Sequence, residues 1–188
     1  LQMASAYAVF ANSGYRVKPY LIEKITDGTG RIVARARPAV AGEEANRVID
    51  ARNAFLTTRL LREVVERGTA TRAKVLNRGD IVGKTGTTND SHDAWFAGYN
   101  SDISAVAWVG YDQPRNLGAR ETGGGLALPI WIDYMKVALA DSPEKPQVVP
   151  PGIEYIDGNY YYSEYTPGNG VARIDVNGGG DDIPSLFN

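Results

Sequence analysis

The sequence predicts an α+β fold, a mainly antiparallel sheet flanked by helices. Two observations carry this reading. Apolar residues recur at helical spacing near residues 1–12, 50–68 and 129–140. Three strand-like runs, about 81–87, 94–99 and 103–111, follow one another between turn-forming residues. The chain has 188 residues and 43% hydrophobic content, enough for one domain with a real core.

The elements follow in order. Leu1 to Asn12 place Met3, Tyr7 and Phe10 at helical spacing with alanines between, and Gly14 suits a helix stop. Leu21 to Thr26 and Arg31 to Ala36 read as two strands, with Asp27-Gly28-Thr29-Gly30 as their turn. Asp50 is placed to cap a helix running through Phe55, Leu56, Leu60, Leu61, Val64 and Val65 to Gly68. Asn100-Ser101-Asp102 supplies a tight hairpin between the last two of the three later strands. Pro129 opens the final amphipathic helix, where its missing N–H costs nothing. Residues 1–140 are expected to form one unit. Residues 141–188 are expected to be a Pro/Gly/Tyr-rich extension that begins as a linker and has strand-like patches.

Composition excludes several function classes. Formal net charge is −2, so no broad basic field points to nucleic acid. With no cysteine there is no disulfide framework, thiolate metal site or cysteine nucleophile. No apolar run approaches the roughly 20 residues of a bilayer span. The chain opens inside an apolar segment without an initiating Met, and is expected to be a piece of a longer protein.

The segment "GDIVGKTGTTNDSHDAWFAGY", residues 79–99, concentrates the chemistry. A phosphate-binding loop, G-x-x-x-x-G-K-[ST], fails on spacing, because the first glycine would fall on Arg78. Ile81 and Val82 read as strand, and Gly86-Thr87-Thr88-Asn89 is a poor helix start. "TGGGLALP", residues 122–129, is a second glycine-rich stretch, read as a close approach of loop to sheet. On a strand, Thr85 and Thr87 share one face while Lys84 points to the other or to the rim. Two hydroxyls on one face, with an ammonium nearby, suit a substrate carboxylate. Gly86 leaves room for a substrate backbone, and the Thr87 N–H is a candidate oxyanion donor. His92 has no second histidine in the chain, and no metal site is expected. Trp95, Phe96, Trp108 and Tyr111 read as packing residues, Tyr160–Tyr162 and Tyr165 as edge or packing residues, and Arg115 and Arg120 have no assigned role.

K-T-G-T-T-N-D followed by D-A-W-F-A-G-Y resembles the third motif of the penicillin-binding transpeptidases and the strand after it. "LQMASAYAVFANSGY", "PYLIEKITDGTGRIV", "ARNAFLTTRLLREVVERGTATRA" and "ETGGGLALPIWIDYM" resemble, in order, segments of bifunctional class A penicillin-binding proteins of the 1A type. The resemblance covers roughly residues 1–140. It implies a penicillin-binding, β-lactamase-like fold, incomplete in this chain. It further implies a D,D-transpeptidase acting on D-Ala-D-Ala stem peptides of peptidoglycan and acylated by β-lactams. No cofactor is implied. Lys84 and Thr87 would be the catalytic residues, and Lys84, Thr85, Gly86, Thr87 and Thr88 the substrate-binding set. The family's S-x-x-K and S-x-N motifs precede K-T-G. None of the serines at 5, 13, 91, 101, 104, 142, 163 and 185 is read as opening an S-x-x-K or an S-x-N motif. The chain is therefore expected to lack both motifs, with the nucleophile in an upstream half of the same domain. A glycosyltransferase domain and membrane anchor would lie further upstream, on the periplasmic face of the bacterial inner membrane. A D,D-carboxypeptidase, a β-lactamase and a non-catalytic binding module of the same fold stay open as alternatives.

Overall fold

The computed structural model describes residues 1–43, 45–118 and 121–169. Contacts divide the chain into two units, Leu1–Pro151 and Gly152 onward. The first unit begins with α1 (Gln2–Ala11). Gly14, at φ +93°, turns the chain out of that helix while its N–H bonds Val9 O at 2.8 Å. The hairpin of β1 (Lys24–Thr26) and β2 (Ile32–Arg35) follows. Asp27 organises its turn, since Oδ1 accepts from Thr29 N at 3.0 Å and Arg31 N at 3.0 Å. Next comes α2 (Ala51–Glu66), capped as expected by Asp50, whose Oδ1 accepts from Arg52 N at 2.8 Å. A 3₁₀ segment, Thr71–Leu76, which residue spacing does not reveal, leads to the main sheet.

That sheet has the order β3 (Val82–Thr87), β4 (Asp93–Tyr99), β5 (Ser104–Gly110), antiparallel throughout. Lys84 pairs with Ala97, Thr85 with Phe96, Gly86 with Trp95 and Thr87 with Ala94. Residues paired across antiparallel strands lie on the same face. One face therefore carries Thr85, Thr87, Ala94, Phe96 and Ala107. It packs on α3 (Leu128–Ala138), which a π-helical turn at Gly123–Ala127 precedes. Trp131, Leu128 and Met135 are fully buried there. The Phe96 and Trp131 rings meet edge-on at 4.8 Å, and Trp131 Nε1 donates to Ala105 O at 3.1 Å. The other face carries Tyr99, which meets Tyr7 of α1 and bonds Thr58 of α2 at 2.8 Å. Burial pushes the Tyr99 phenol up to about 12, so the hydroxyl stays neutral and bonded. Helices thus cover both faces of an antiparallel sheet, as the α+β reading requires.

The proline-rich stretch after α3 is tied down along its first part. Glu144 Oε1 accepts from Gly79 N at 2.9 Å, Ser142 Oγ donates to Asp102 Oδ2 at 2.7 Å, and Lys145 Nζ donates to Asp102 Oδ1 at 2.5 Å. Burying the polar backbone ahead of β3 requires such partners. The second unit contains a hairpin of β6 (Ile153–Ile156) and β7 (Asn159–Tyr162), on which the Tyr155 and Tyr160 rings lie 4.7 Å apart. No helix among the described residues is long and apolar enough to cross a membrane.

The β1–β2 hairpin and the segment before it leave Leu21, Ile22 and Val33 strongly exposed, Leu21 at 92%. Contiguous apolar exposure of this kind drives association. Residues 1–188 expressed alone are expected to bind a hydrophobic dye and to aggregate on concentration. Size-exclusion chromatography and a thermal melt check this; a soluble monomer with one sharp transition contradicts it.

Candidate active site

β3 pairs with β4 alone among the described residues, so its other edge is not in a ladder. Backbone groups alternate between the two edges of an antiparallel strand. Thr88 N donates to Asp93 O at 3.1 Å across the β3–β4 pair. Residues 82, 84 and 86 therefore turn their N–H and C=O groups toward β4, and Thr85 and Thr87 turn theirs to the open edge. Lys84 Nζ reaches that edge, donating to Thr85 O at 2.9 Å and lying 3.3 Å from Thr85 Oγ1. Lys84 and Thr87 are exposed, and Thr85 and Gly86 half-buried. The outcome is a strip with an ammonium, two hydroxyls and two backbone N–H groups turned outward. Because Lys84-Thr85 lies inside a strand, no loop exists there to wrap a phosphate.

The structure separates the five residues expected to bind substrate. Lys84, Thr85, Gly86 and Thr87 share β3. Thr88 instead closes the loop to β4: its Oγ1 accepts from Asp93 N at 2.8 Å and lies 3.4 Å from Asp93 Oδ2. Thr85 and Thr87 each have a partner from far along the chain. Thr69 Oγ1 lies 2.6 Å from Thr85 Oγ1, and Thr87 Oγ1 accepts from Gly123 N at 3.1 Å. Sequence spacing singles out neither contact. The one cue is that Thr69 follows the helix-ending Gly68 and Gly123 sits in the triple glycine.

At the other end of β3, Arg78 forms a bidentate pair with Asp80 at 2.8 and 2.7 Å. Asn100 Nδ2 and Lys145 N also approach Asp80 Oδ2, at 3.3 and 3.4 Å. Burial opposes ionisation of Asp80, but the bonds from Arg78, Asn100 and Lys145 outweigh it and hold the carboxyl below the usual carboxylate range. Arg115 stacks over the Tyr111 ring at 3.7 Å, and Arg120 lies outside the described residues. No group of three or more His, Asp or Glu side chains suited to a metal occurs among the described residues.

One expectation needs correction. An S-x-x-K spacing does occur, at Ser142-Pro143-Glu144-Lys145, behind K-T-G rather than ahead of it. Both end residues spend their side chains on the Asp102 carboxylate in the β4–β5 turn. The segment is not helical. Ser142 and Lys145 meet through that carboxylate and act as a clasp on the sheet end, with the lysine turned to Asp102 and not to the serine.

Comparison with known proteins agrees with this architecture. The penicillin binding protein transpeptidase domain model matches residues 1–136. The chain is 45% identical over 185 residues to penicillin-binding protein 1A of Neisseria lactamica, covering 98% of this chain and 23% of that protein. It is 41% identical to penicillin-binding protein 1A of Pseudomonas aeruginosa, covering 81% of this chain and 24% of that protein. The crystal structure of penicillin-binding protein 1A from Haemophilus influenzae superposes with a TM-score of 0.80 at 35% identity, over 92% of this chain and 32% of that one. The D,D-transpeptidase domain of a peptidoglycan glycosyltransferase from Eggerthella lenta superposes with a TM-score of 0.57 at 26% identity, over 74% of this chain and 32% of that one. The chain thus spans about a quarter of the length of these curated relatives. With the helix-covered antiparallel sheet and its K-T-G strand, these matches establish that the chain belongs to the penicillin-binding protein transpeptidase family.

Proposed function

We propose that this chain supplies the substrate-binding strand of a peptidoglycan D,D-transpeptidase, on the periplasmic side of a bacterial inner membrane. The parent protein would also carry a glycosyltransferase domain and a membrane anchor. The observation that carries the reading is the open edge of β3, where Lys84, Thr85 and Thr87 offer an ammonium, two hydroxyls and outward N–H groups. In this reading a serine from the upstream part of the domain attacks the penultimate D-Ala carbonyl of a stem peptide. The developing oxyanion is stabilised by the Thr87 N–H. The C–N bond breaks, the terminal D-Ala leaves with a proton on its nitrogen, and an ester to serine remains. An amine of a neighbouring stem peptide then attacks the ester, loses a proton and restores the serine. Lys84, Thr85 and Thr87 hold the terminal carboxylate, while Thr88 keeps the β3–β4 loop closed. A β-lactam presents the same carboxylate, and its ring C–N bond opens on the same serine. Cross-linked product distinguishes this from a carboxypeptidase, which would release hydrolysed stem peptide only.

Labelled penicillin tests the division of labour. Covalent label is expected on a protein containing the complete transpeptidase domain, and none on residues 1–188. Label on Ser142, or on any other serine of this chain, would overturn the placement of the nucleophile.

A further inference from the structure

Resting on the carboxylate-clamp reading, we propose that Gly123 and Thr69 are positioning residues for the clamp. Each donates a hydrogen bond to one clamp hydroxyl from behind, and so turns that hydroxyl's own proton toward the ligand. A threonine hydroxyl has one proton and two acceptor lone pairs, and its proton rotates to suit its surroundings. At Thr87 the Gly123 N–H occupies one acceptor direction, 3.1 Å away. The proton cannot point there, and since Thr87 is exposed it faces the open side. At Thr85 the Lys84 ammonium, 3.3 Å away, can only donate. Thr69 Oγ1 stands 2.6 Å away, and within that pair one hydroxyl must donate to the other. When a carboxylate takes the Thr85 proton, Thr69 becomes the donor. The bonds then run in one direction, from Thr69 to Thr85 to the ligand, and each strengthens the next.

The triple glycine is what allows this. A Cβ on Gly123 would lie 2.5 Å from Gly86 O and 2.9 Å from Gly86 N, and would also strike Trp95 O. These are backbone atoms of the β3–β4 ladder, which cannot move aside without opening the sheet. Only glycine brings its N–H this close to the Thr87 hydroxyl. The next residue, Gly124, lies between the two hydroxyl partners: its Cβ position is 3.1 Å from Thr69 O and 3.7 Å from Thr85 Cγ2. Thr122 anchors the turn, its Oγ1 accepting from Gly125 N at 3.1 Å. One glycine turn therefore meets the Thr87 hydroxyl through Gly123 and lies against the Thr85 methyl through Gly124, a placement that "TGGG" did not disclose as sequence.

The test uses a protein with the complete transpeptidase domain and two acylating ligands, a β-lactam and its carboxylate-free analogue. The readout is the ratio of their second-order acylation rates. Thr69→Val is expected to lower that ratio about 2- to 10-fold, the worth of one neutral hydrogen bond. Thr69→Ser is expected to restore it. Gly123→Ala, whose Cβ meets the backbone of the Gly86–Trp95 pair, is expected to lower the ratio by at least as much. In a Thr85→Val background, Thr69→Val is expected to lower the ratio no further. Equal slowing of both ligands by Thr69→Val, or an undiminished effect in the double variant, would mean a merely structural role and overturn the proposal. If Gly123→Ala does not fold, Thr69→Val carries the same test. If Thr87→Val and Thr85→Val themselves leave the ratio unchanged, the clamp reading fails instead, and the two failures are told apart.

Discussion

Thr87→Val, in a protein with the complete transpeptidase domain, is expected to slow acylation by a carboxylate-bearing β-lactam about 10- to 150-fold, the rate equivalent of one charge-assisted hydrogen bond. Valine keeps the shape of threonine and keeps the main-chain N–H, so any oxyanion contribution of that N–H survives. The hydroxyl alone is lost. With Gly123 N donating to one of its lone pairs, the hydroxyl keeps its own proton for the ligand. Lys84→Ala is expected to be worse, since it removes the ammonium beside Thr85 and leaves the ligand carboxylate in a less positive groove. Removing the carboxylate from the ligand should abolish most of the Thr87→Val effect, because the missing bond then has no partner. Stopped-flow acylation rates with both ligands, for wild type and the two variants, check this. Equal slowing of the two ligands by Thr87→Val would mean that the hydroxyl acts elsewhere.

Asp80→Ala is expected to destabilise the complete domain by about 3–5 kcal/mol at neutral pH, the cost of stranding one member of a buried ion pair. The Asp80 and Arg78 side chains are only 3% and 14% exposed, so water replaces the lost carboxylate poorly, and Arg78 keeps only its bond to Ser142 O at 2.7 Å. Asn100 Nδ2 and Lys145 N lose an acceptor at the same time. The pH dependence has a definite sign. The folded carboxyl titrates below its ordinary value, so its contribution is complete above the unfolded value of about 3.9 and disappears as pH falls through the lower folded value. The stability gap between wild type and Asp80→Ala should therefore close on the acid side. Urea unfolding at neutral pH and at successively more acid pH measures it. A gap below about 1 kcal/mol, or one that does not shrink with acid, would mean that the pair is dispensable. Asp80 stands directly before Ile81 and Val82, so its loss should also loosen the entry to the K-T-G strand.

The three helices and three sheet strands were legible because their signals are local. Asp50 caps the helix that the spacing of Phe55, Leu60 and Val64 predicts, and Asn100 closes the hairpin through its own side chain, Oδ1 accepting from Ile103 N at 2.8 Å. Alternation on a strand was enough to put Thr85 and Thr87 on one face. Local signals do not disclose that the Thr88 hydroxyl also serves the β3–β4 loop, nor that Ser142 and Lys145 share the Asp102 carboxylate.

By itself, then, the sequence determined the α+β class, the element order, the family and the strand that bears Lys84, Thr85 and Thr87. Each of these follows from patterns that repeat within a few residues or from a contiguous motif. Tertiary structure alone decided which groups stand behind the two hydroxyls. Thr69 comes from the turn after α2 and Gly123 from the turn before α3, 16 and 36 residues from their partners. No periodicity spans such separations. The contacts exist because Phe96 and Trp131 pack α3 onto the sheet, and that packing lowers the glycine turn onto the Gly86–Trp95 pair, where a backbone N–H can meet Thr87.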